Sequence, residues 1–331
     1  METIIVDGLA FALPLFIMAI GGIYSERSGI TNLAIEGLQG FGAFFGALVV
    51  VSINFASGIP VEKLFYVALL FAMVGGALYA IIHAILCVNF KANQVISGVV
   101  INILSMALTG FLVSQINGVV FGNVSDKFQL GVSTRFTISS LSAIPIIGAI
   151  FKNVYPFEIV IIVIAIIAWY ILYKTRYGLQ LRACGDNPHA VDAAGGDVSK
   201  IRFSAVMVSG ALSGLGGMCF AYSISANFSP SIFMGYGYLA IAALIFGNWE
   251  IVPTFLACLL FGFARSGGYE LAKSLELSST FTDLTMILPY ILTLLLLIFF
   301  SKSNRSPRAL GEIYDKGKRW KKGDCYEYKI L

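Results

Sequence analysis

Ionised side chains are scarce in this chain of 331 residues. Its 22 Lys and Arg and 18 Asp and Glu amount to 12%, against roughly 25% in a soluble domain. No long polar stretch is left over from which a second, soluble domain could be built. Histidine is nearly absent, and His83 and His189 stand far apart with no metal-ligand spacing. The five cysteines (Cys87, Cys184, Cys219, Cys258 and Cys325) are scattered without a C-x-x-C, so neither a zinc site nor a disulfide framework is supported. Three of them sit in apolar runs, where Cys behaves as a small hydrophobe. No G-x-x-x-x-G-K-[ST] occurs, so ATP hydrolysis on this chain is excluded. No nucleophile–base constellation or pair of acids stands at a useful spacing, so no catalytic residue, metal or cofactor is expected here. The N-terminus, METIIVDGLAFALPLF, lacks a basic n-region and a small-residue cleavage site. It reads as a retained span with an acidic flank, not as a signal peptide.

What is abundant is apolar surface. Hydrophobic residues make up 58% of the chain and the mean hydropathy is +0.85. Nine apolar segments run over roughly 8–23, 32–52, 64–88, 95–115, 156–173, 203–224, 232–247, 251–268 and 284–301. Each reaches or approaches the length that crosses about 30 Å at about 1.5 Å per residue. The runs are continuous and not alternating, which excludes a β-barrel. The expected fold is all-α: a polytopic transmembrane helix bundle of about 8–10 membrane segments. It forms one membrane domain over 1–301, followed by a basic tail, 302–331.

The charges orient it. Sixteen of the 22 basic residues fall in segments placed inside: Arg27, Lys91, five from Lys174 to Arg202, and nine after Ser301. Lys63, Lys127, Arg135, Lys152 and Lys273 fall outside, and Arg265 lies within a span. The positive-inside rule then puts the tail in the cytoplasm of a multi-pass plasma-membrane protein. The tail follows a span directly, so lipid headgroups account for its charge better than nucleic acid does. Gly42-x-x-x-Gly46 and Gly210-x-x-x-Gly214 have the spacing of close helix packing in lipid. Gly235-x-Gly237-x-x-Ala240 matches a dinucleotide fingerprint in form only, because no strand precedes it.

Two polar passages interrupt the apolar runs. In the first, SERSGITNLAIEGLQGFGAFFG (25–46), Glu26, Arg27, Asn32, Glu36 and Gln39 lie between or within spans. Charges near the bilayer are costly and face a cavity or a partner. Either 24–31 is a plain solvated turn, or the helix breaks inside the membrane and half-helix ends line a pathway. Asn32, Glu36 and Gln39 at i, i+4 and i+7 would share a helical face. That face either lines the path or forms a helix–helix hydrogen-bond seam. Asn102, a lone mid-span amide, has the same two readings. Tyr236 and Tyr238 complete the set of path candidates.

The second passage, Lys174 to Phe203, is a basic island between two apolar blocks. Asp186 or Asn187 suits an N-cap with Pro188 at the first helical position. A short helix, His189 to Ala194, would end at Gly195–Gly196. Ala190, Ala193 and Ala194 leave a smooth face, flanked by Arg182 and by Lys200–Arg202, which can meet carboxylates or headgroups.

LRACGDNPHAVDAAGGDVSKIRF (181–203) resembles the ATPase-coupling loop of ABC importer permeases of the simple-sugar and nucleoside family, the branched-chain amino-acid/ribose type. GGIYSERSGITNLAIEGLQGFGA (21–43), GYGYLAIAALIFGNW (235–249), LLFGFARSG (259–267) and SPRALGEIY (306–314) resemble its other signatures. The resemblance covers most of the chain. It implies a non-catalytic translocation subunit, resembling the shorter of two unlike permeases. It also implies three kinds of partner: a cytoplasmic ATPase that binds the ATP and Mg, the second permease, and an extracytoplasmic substrate-binding lipoprotein. Arg182, Gly185, Asp186, Asn187, Pro188, Ala190 and Gly195 match the coupling motif. The implied cargo is a nucleoside, with a simple sugar or a flavin-type vitamin as the alternative. Arg265 departs from the family pattern, and a cation near the outer vestibule changes what is attracted there. The rival class is an ion-coupled secondary transporter, for which Glu36 is the clearest intramembrane acid. A membrane-embedded enzyme is a distant third.

Overall fold

The computed structural model describes residues 2–131, 135–142, 147–230, 235–276, 287–300 and 305–317. The expectations for 232–234, for 284–286, for 301–304 and for the tail beyond 317 lie outside these residues. The chain is an all-α bundle, and among the described residues seven helices are long and apolar enough to cross a membrane. In order, the helices are α1 (Glu2–Arg27), α2 (Ile35–Ser57), α3 (Phe65–Ala84, extended by a π turn to Asn89) and α4 (Gln94–Val119). There follow α5 (Pro156–Lys174), α6 (Arg176–Asp186), α7 (Pro188–Ala193) and α8 (Val198–Phe220, extended by a π turn to Ser225). The last three are α9 (Tyr236–Phe246), α10 (Ile251–Ser274) and α11 (Leu288–Phe300).

Helices α1 and α8 form the centre. Every residue from Ala10 to Glu26 is buried, as is every residue from Leu212 to Tyr222. Around them pack α2, α3, α9 and α10. The outer helices keep one face unburied: Val95, Ile96, Val99, Ile103 and Leu104 on α4, and Ile162, Val163, Ile166 and Ile167 on α5. Apolar faces of that size suit lipid or another membrane chain.

The tightest packing is a seam of small residues. A Cβ added to Gly42 of α2 would overlap the Gly214 Cα of α8, and one on Gly76 of α3 would overlap the Gly210 carbonyl. The three backbones therefore touch, as small-xxx-small spacing permits in lipid.

Three expectations change. The apolar segment 232–247 does not form a full crossing: α9 has 11 residues, about 16 Å of helix, half of a hydrocarbon core of about 30 Å. Residues 226–230 are non-helical, and Asn227–Phe228 pair with Phe128–Gln129 as a two-residue antiparallel ribbon. The turn after α1 is not solvated, since Ser25, Glu26 and Ser28 are all buried. Asn32 does not share a helical face with Glu36, because α2 begins only at Ile35. The chain re-enters the bundle as irregular backbone and reaches Ser209, about three turns into α8, before it coils. Of the two geometries left open by the sequence, the plain solvated turn is not found: residues 28–34 are non-helical and mostly buried in protein, an arrangement that suits backbone at membrane depth.

Candidate functional site

The late start of α2 and the half-length of α9 bring two helix N-termini together inside the bundle. Such ends carry backbone groups without intrahelical partners, and here side chains supply them. On α4, Asn102 Oδ1 accepts from the Gly37 N–H at 2.7 Å, and Asn102 Nδ2 donates to the Leu33 carbonyl at 2.8 Å and to Tyr238 Oη at 3.0 Å. Ser105 Oγ donates to the Gly37 carbonyl at 2.7 Å. On α2, Glu36 reaches across to α9. Its Oε1 accepts from the Gly235 N–H at 2.6 Å and its Oε2 from the Gly237 N–H at 2.5 Å. The Tyr238 N–H points at the same carboxylate. A Cβ at Gly237 would fall 2.6 Å from the Glu36 Cα, so glycine is what lets the carboxylate reach the bare amides.

Beside this clamp lies a cavity of about 200 Å³, lined by Glu36, Asn102, Ser105, Thr109, Pro230 and Tyr238 among others. Of the path candidates, Glu36, Asn102 and Tyr238 thus share one site, and three do not. Asn32 is fully buried and donates to Ser209 Oγ at 2.8 Å. Gln39 is fully buried with its backbone against Gly217. Tyr236 points the other way, its ring against Phe11 and Phe220 and its hydroxyl 3.5 Å from Arg265 Nη2. Arg265 caps the Phe11 ring at 4.5 Å and helps line a second cavity of about 350 Å³, with Asp7, Arg135, Tyr155 and Tyr269.

The segment 174–203 folds as two helices, one more than the sequence suggested. Thr175 Oγ1 accepts from the Gly178 N–H and starts α6. Asn187, not Asp186, caps α7 through its Oδ1 to the Ala190 N–H at 3.1 Å, with Pro188 at the first position. The chain leaves α7 through Gly195 at φ +83°. Ala190, Ala193 and Ala194 are exposed, as is Asp186, whereas Pro188 and Gly185 are buried. Arg182 lies over the Tyr173 ring at 5.3 Å and, among the described residues, pairs with no carboxylate. Lys200 pairs with Asp197 at 3.2 Å and, with its backbone N–H, holds that carboxyl below its usual range.

Arg202 is a correction. It is 2% exposed and cannot reach a headgroup. Its Nε donates to the Ser28 carbonyl at 3.1 Å and its Nη1 to the Glu312 carbonyl at 2.9 Å. It thereby joins α8 to the turn after α1 and to residues 305–317. That last segment is a strap. The Ala309 N–H donates to the Gly185 carbonyl at 2.8 Å, the Gly311 N–H to the Gly29 carbonyl at 3.0 Å, and the Arg305 N–H to Asn248 Oδ1 at 2.8 Å. Lys91–Asp315 at 3.0 Å and Lys316–Asp192 at 3.5 Å pin its far end. Sequence reasoning noted 306–314 only as a signature, and nothing local in those residues names Gly185 or Arg202 as partners. Ser105, Thr109 and Pro230 were also missed. A signal for Gly235 and Gly237 did exist: their Gly-x-Gly before a helix advertised unpartnered amides. Among the described residues no group of three or more His, Cys, Asp and Glu is placed to hold a metal ion.

Residues 4–297 match the family described as the branched-chain amino acid transport system / permease component. The chain belongs to this family. As a permease component it is a multi-pass membrane protein and a translocation subunit. It is 39% identical to the guanosine ABC transporter permease protein NupQ of Bacillus subtilis (strain 168), over 94% of this chain and 96% of that one. It is 37% identical to the nucleoside ABC transporter permease protein NupC of Lactococcus lactis subsp. cremoris (strain MG1363), over 96% and 98%.

Proposed function

We propose that this permease carries nucleosides across the bacterial plasma membrane as part of an ATP-driven importer. The observation that carries the reading is the cavity at the α2–α9 junction. A carboxylate, an amide, a phenol and two hydroxyls converge there on an otherwise apolar wall, a lining suited to a neutral, ring-bearing solute with several hydroxyls. Two near-full-length relatives named for guanosine and nucleosides support it.

ATP and Mg are bound by a partner ATPase in the cytoplasm. That partner grips the exposed Ala190, Ala193 and Ala194 face of α7, and the tail lies on the same side of the membrane. Arg182, Gly185, Asp186, Asn187, Pro188 and Gly195 shape and seat this docking element. A shift of α7 passes through the Gly185–Ala309 and Gly311–Gly29 bonds to the turn after α1. From there it passes through Asn32–Ser209 to the start of α2, where Glu36 holds α9. The bias between outward-open and inward-open forms comes from ATP binding one form better than the other. The cavity of about 200 Å³ is below the roughly 300 Å³ of a self-sufficient ligand site. A second, unlike permease against the open α4 face completes it, and a substrate-binding lipoprotein delivers the cargo from outside.

The test is uptake of labelled guanosine and uridine into right-side-out vesicles that carry the assembled importer and are loaded with ATP. Uptake that follows ATP on the cytoplasmic side and resists ionophores supports the reading. Uptake that follows an ion gradient without ATP refutes it.

A further inference from the structure

A half-helix N-terminus beside a polar cavity inside a membrane is a ready anion site: three aimed N–H groups and the positive end of the helix dipole favour a carboxylate or phosphate. In this protein the solute cannot use it. Glu36 already occupies the end of α9, with both oxygens accepting backbone N–H groups at 2.6 and 2.5 Å. A carboxylate that only accepts is in its ionised form. The amide dipoles are spent on it, and the negative charge it carries when ionised stands at the cavity wall. Among the described residues no Lys or Arg lies within ion-pair distance of Glu36. The other polar groups of the wall, Asn102, Ser105, Thr109 and Tyr238, are neutral.

We infer that Glu36 is the charge-selecting residue of this permease: by filling the N-terminus of α9 it turns an anion-binding helix end into a negative wall that admits neutral and cationic solutes and repels carboxylates and phosphates. The inference deepens the nucleoside reading, since it separates nucleosides from nucleotides. It is tested without reference to cargo, so the two stand or fall separately.

Met106 lines the cavity and is half-exposed, while the four described native cysteines are buried. In the assembled importer, Met106→Cys is reacted with anionic sulfonatoethyl and cationic trimethylammonioethyl methanethiosulfonate, and the rate on the unsubstituted chain is subtracted. The cation reacts faster with Glu36 present. Glu36→Gln raises the anion-to-cation rate ratio by about a hundredfold, since one unit charge about 12 Å away at an effective dielectric of about 20 changes each reagent's rate by about tenfold and in opposite directions. The Met106→Cys importer with Glu36 in place is a test by itself, which covers the case that Glu36→Gln fails to assemble: with each rate divided by that reagent's rate on a free thiol in solution, the anion-to-cation ratio is well below one. A normalised ratio of about one with Glu36 in place, or an unchanged ratio in an assembled Glu36→Gln, overturns the inference. So does failure of the small neutral methyl reagent to reach Cys at 106, because the cavity would then not be open to solutes. If guanosine and uridine are not carried while the ratio shifts as stated, only the nucleoside reading falls.

Discussion

The indole N–H of Trp249 donates to the Glu26 carboxylate at 2.5 Å, across 223 residues of sequence, and both side chains are buried. This bond joins the end of α1 to the turn between α9 and α10. Trp249→Phe keeps most of the ring volume and removes the donor. An underpartnered buried carboxylate costs about 1–3 kcal/mol. Purified Trp249→Phe therefore loses its monodisperse peak at a lower temperature than the parent protein. Adding Glu26→Gln costs less in the Trp249→Phe background than in the parent, because the two groups act as a pair. Equal and additive effects would show that the bond contributes nothing.

Gly185 has no room for a side chain. A Cβ there would overlap the Arg27 carbonyl and come within 3.3 Å of Pro307 Cβ. Gly185→Ala pries α6 from the end of α1 and loosens the Ala309 bond. Overpacking of this kind costs about 1–3 kcal/mol, so transport drops by about tenfold or more. Vesicle uptake and cargo-stimulated ATPase should both fall while immunoblots show normal membrane levels. Uptake at the parental rate would mean that this contact does not transmit.

Arg202 ties the strap to the turn after α1 by donating at once to the Glu312 and Ser28 carbonyls, a span that the rigid guanidinium fork bridges better than a compact ammonium. Arg202→Lys should free residues 305–316. Hydrogen exchange at Ala309 and Gly311, whose N–H groups are bonded in the parent, accelerates strongly. Parental protection in Arg202→Lys would place the hold on the strap elsewhere.

The Cys184 thiol is buried in α6, and burial pushes it up to about 11 from the usual 9.0. Below pH 9 both the folded and unfolded chains keep the thiol protonated and the full stability is present. Between pH 9 and about 11 only the unfolded chain ionises, so stability falls with rising pH. Comparing thermal stability across that interval, Cys184→Ala should show the shallower decline. Parallel curves would contradict the assignment.

Much of this architecture was legible because lipid imposes it. Long apolar runs marked the spans, and Asn187–Pro188 marked the start of α7 through local capping chemistry. What was hidden depended on partners far away in sequence. Apolarity alone could not tell the half-helix α9 from a crossing, since Tyr236–Phe246 is as apolar as a span. The spacing of Asn32, Glu36 and Gln39 suggested one face only on the assumption that the helix had already begun. Arg202 read as a surface cation because its acceptors are backbone carbonyls of Ser28 and Glu312, and carbonyls leave no trace in a sequence.

The glycine seam between α2, α3 and α8 bears on how the protein moves. Where backbones meet with nothing between them, there are no rotamers to switch and little slack to share. Those three helices must travel as a single slab, and any alternation of access has to be taken up at the slab's borders, where α9 is short and α4 lies open.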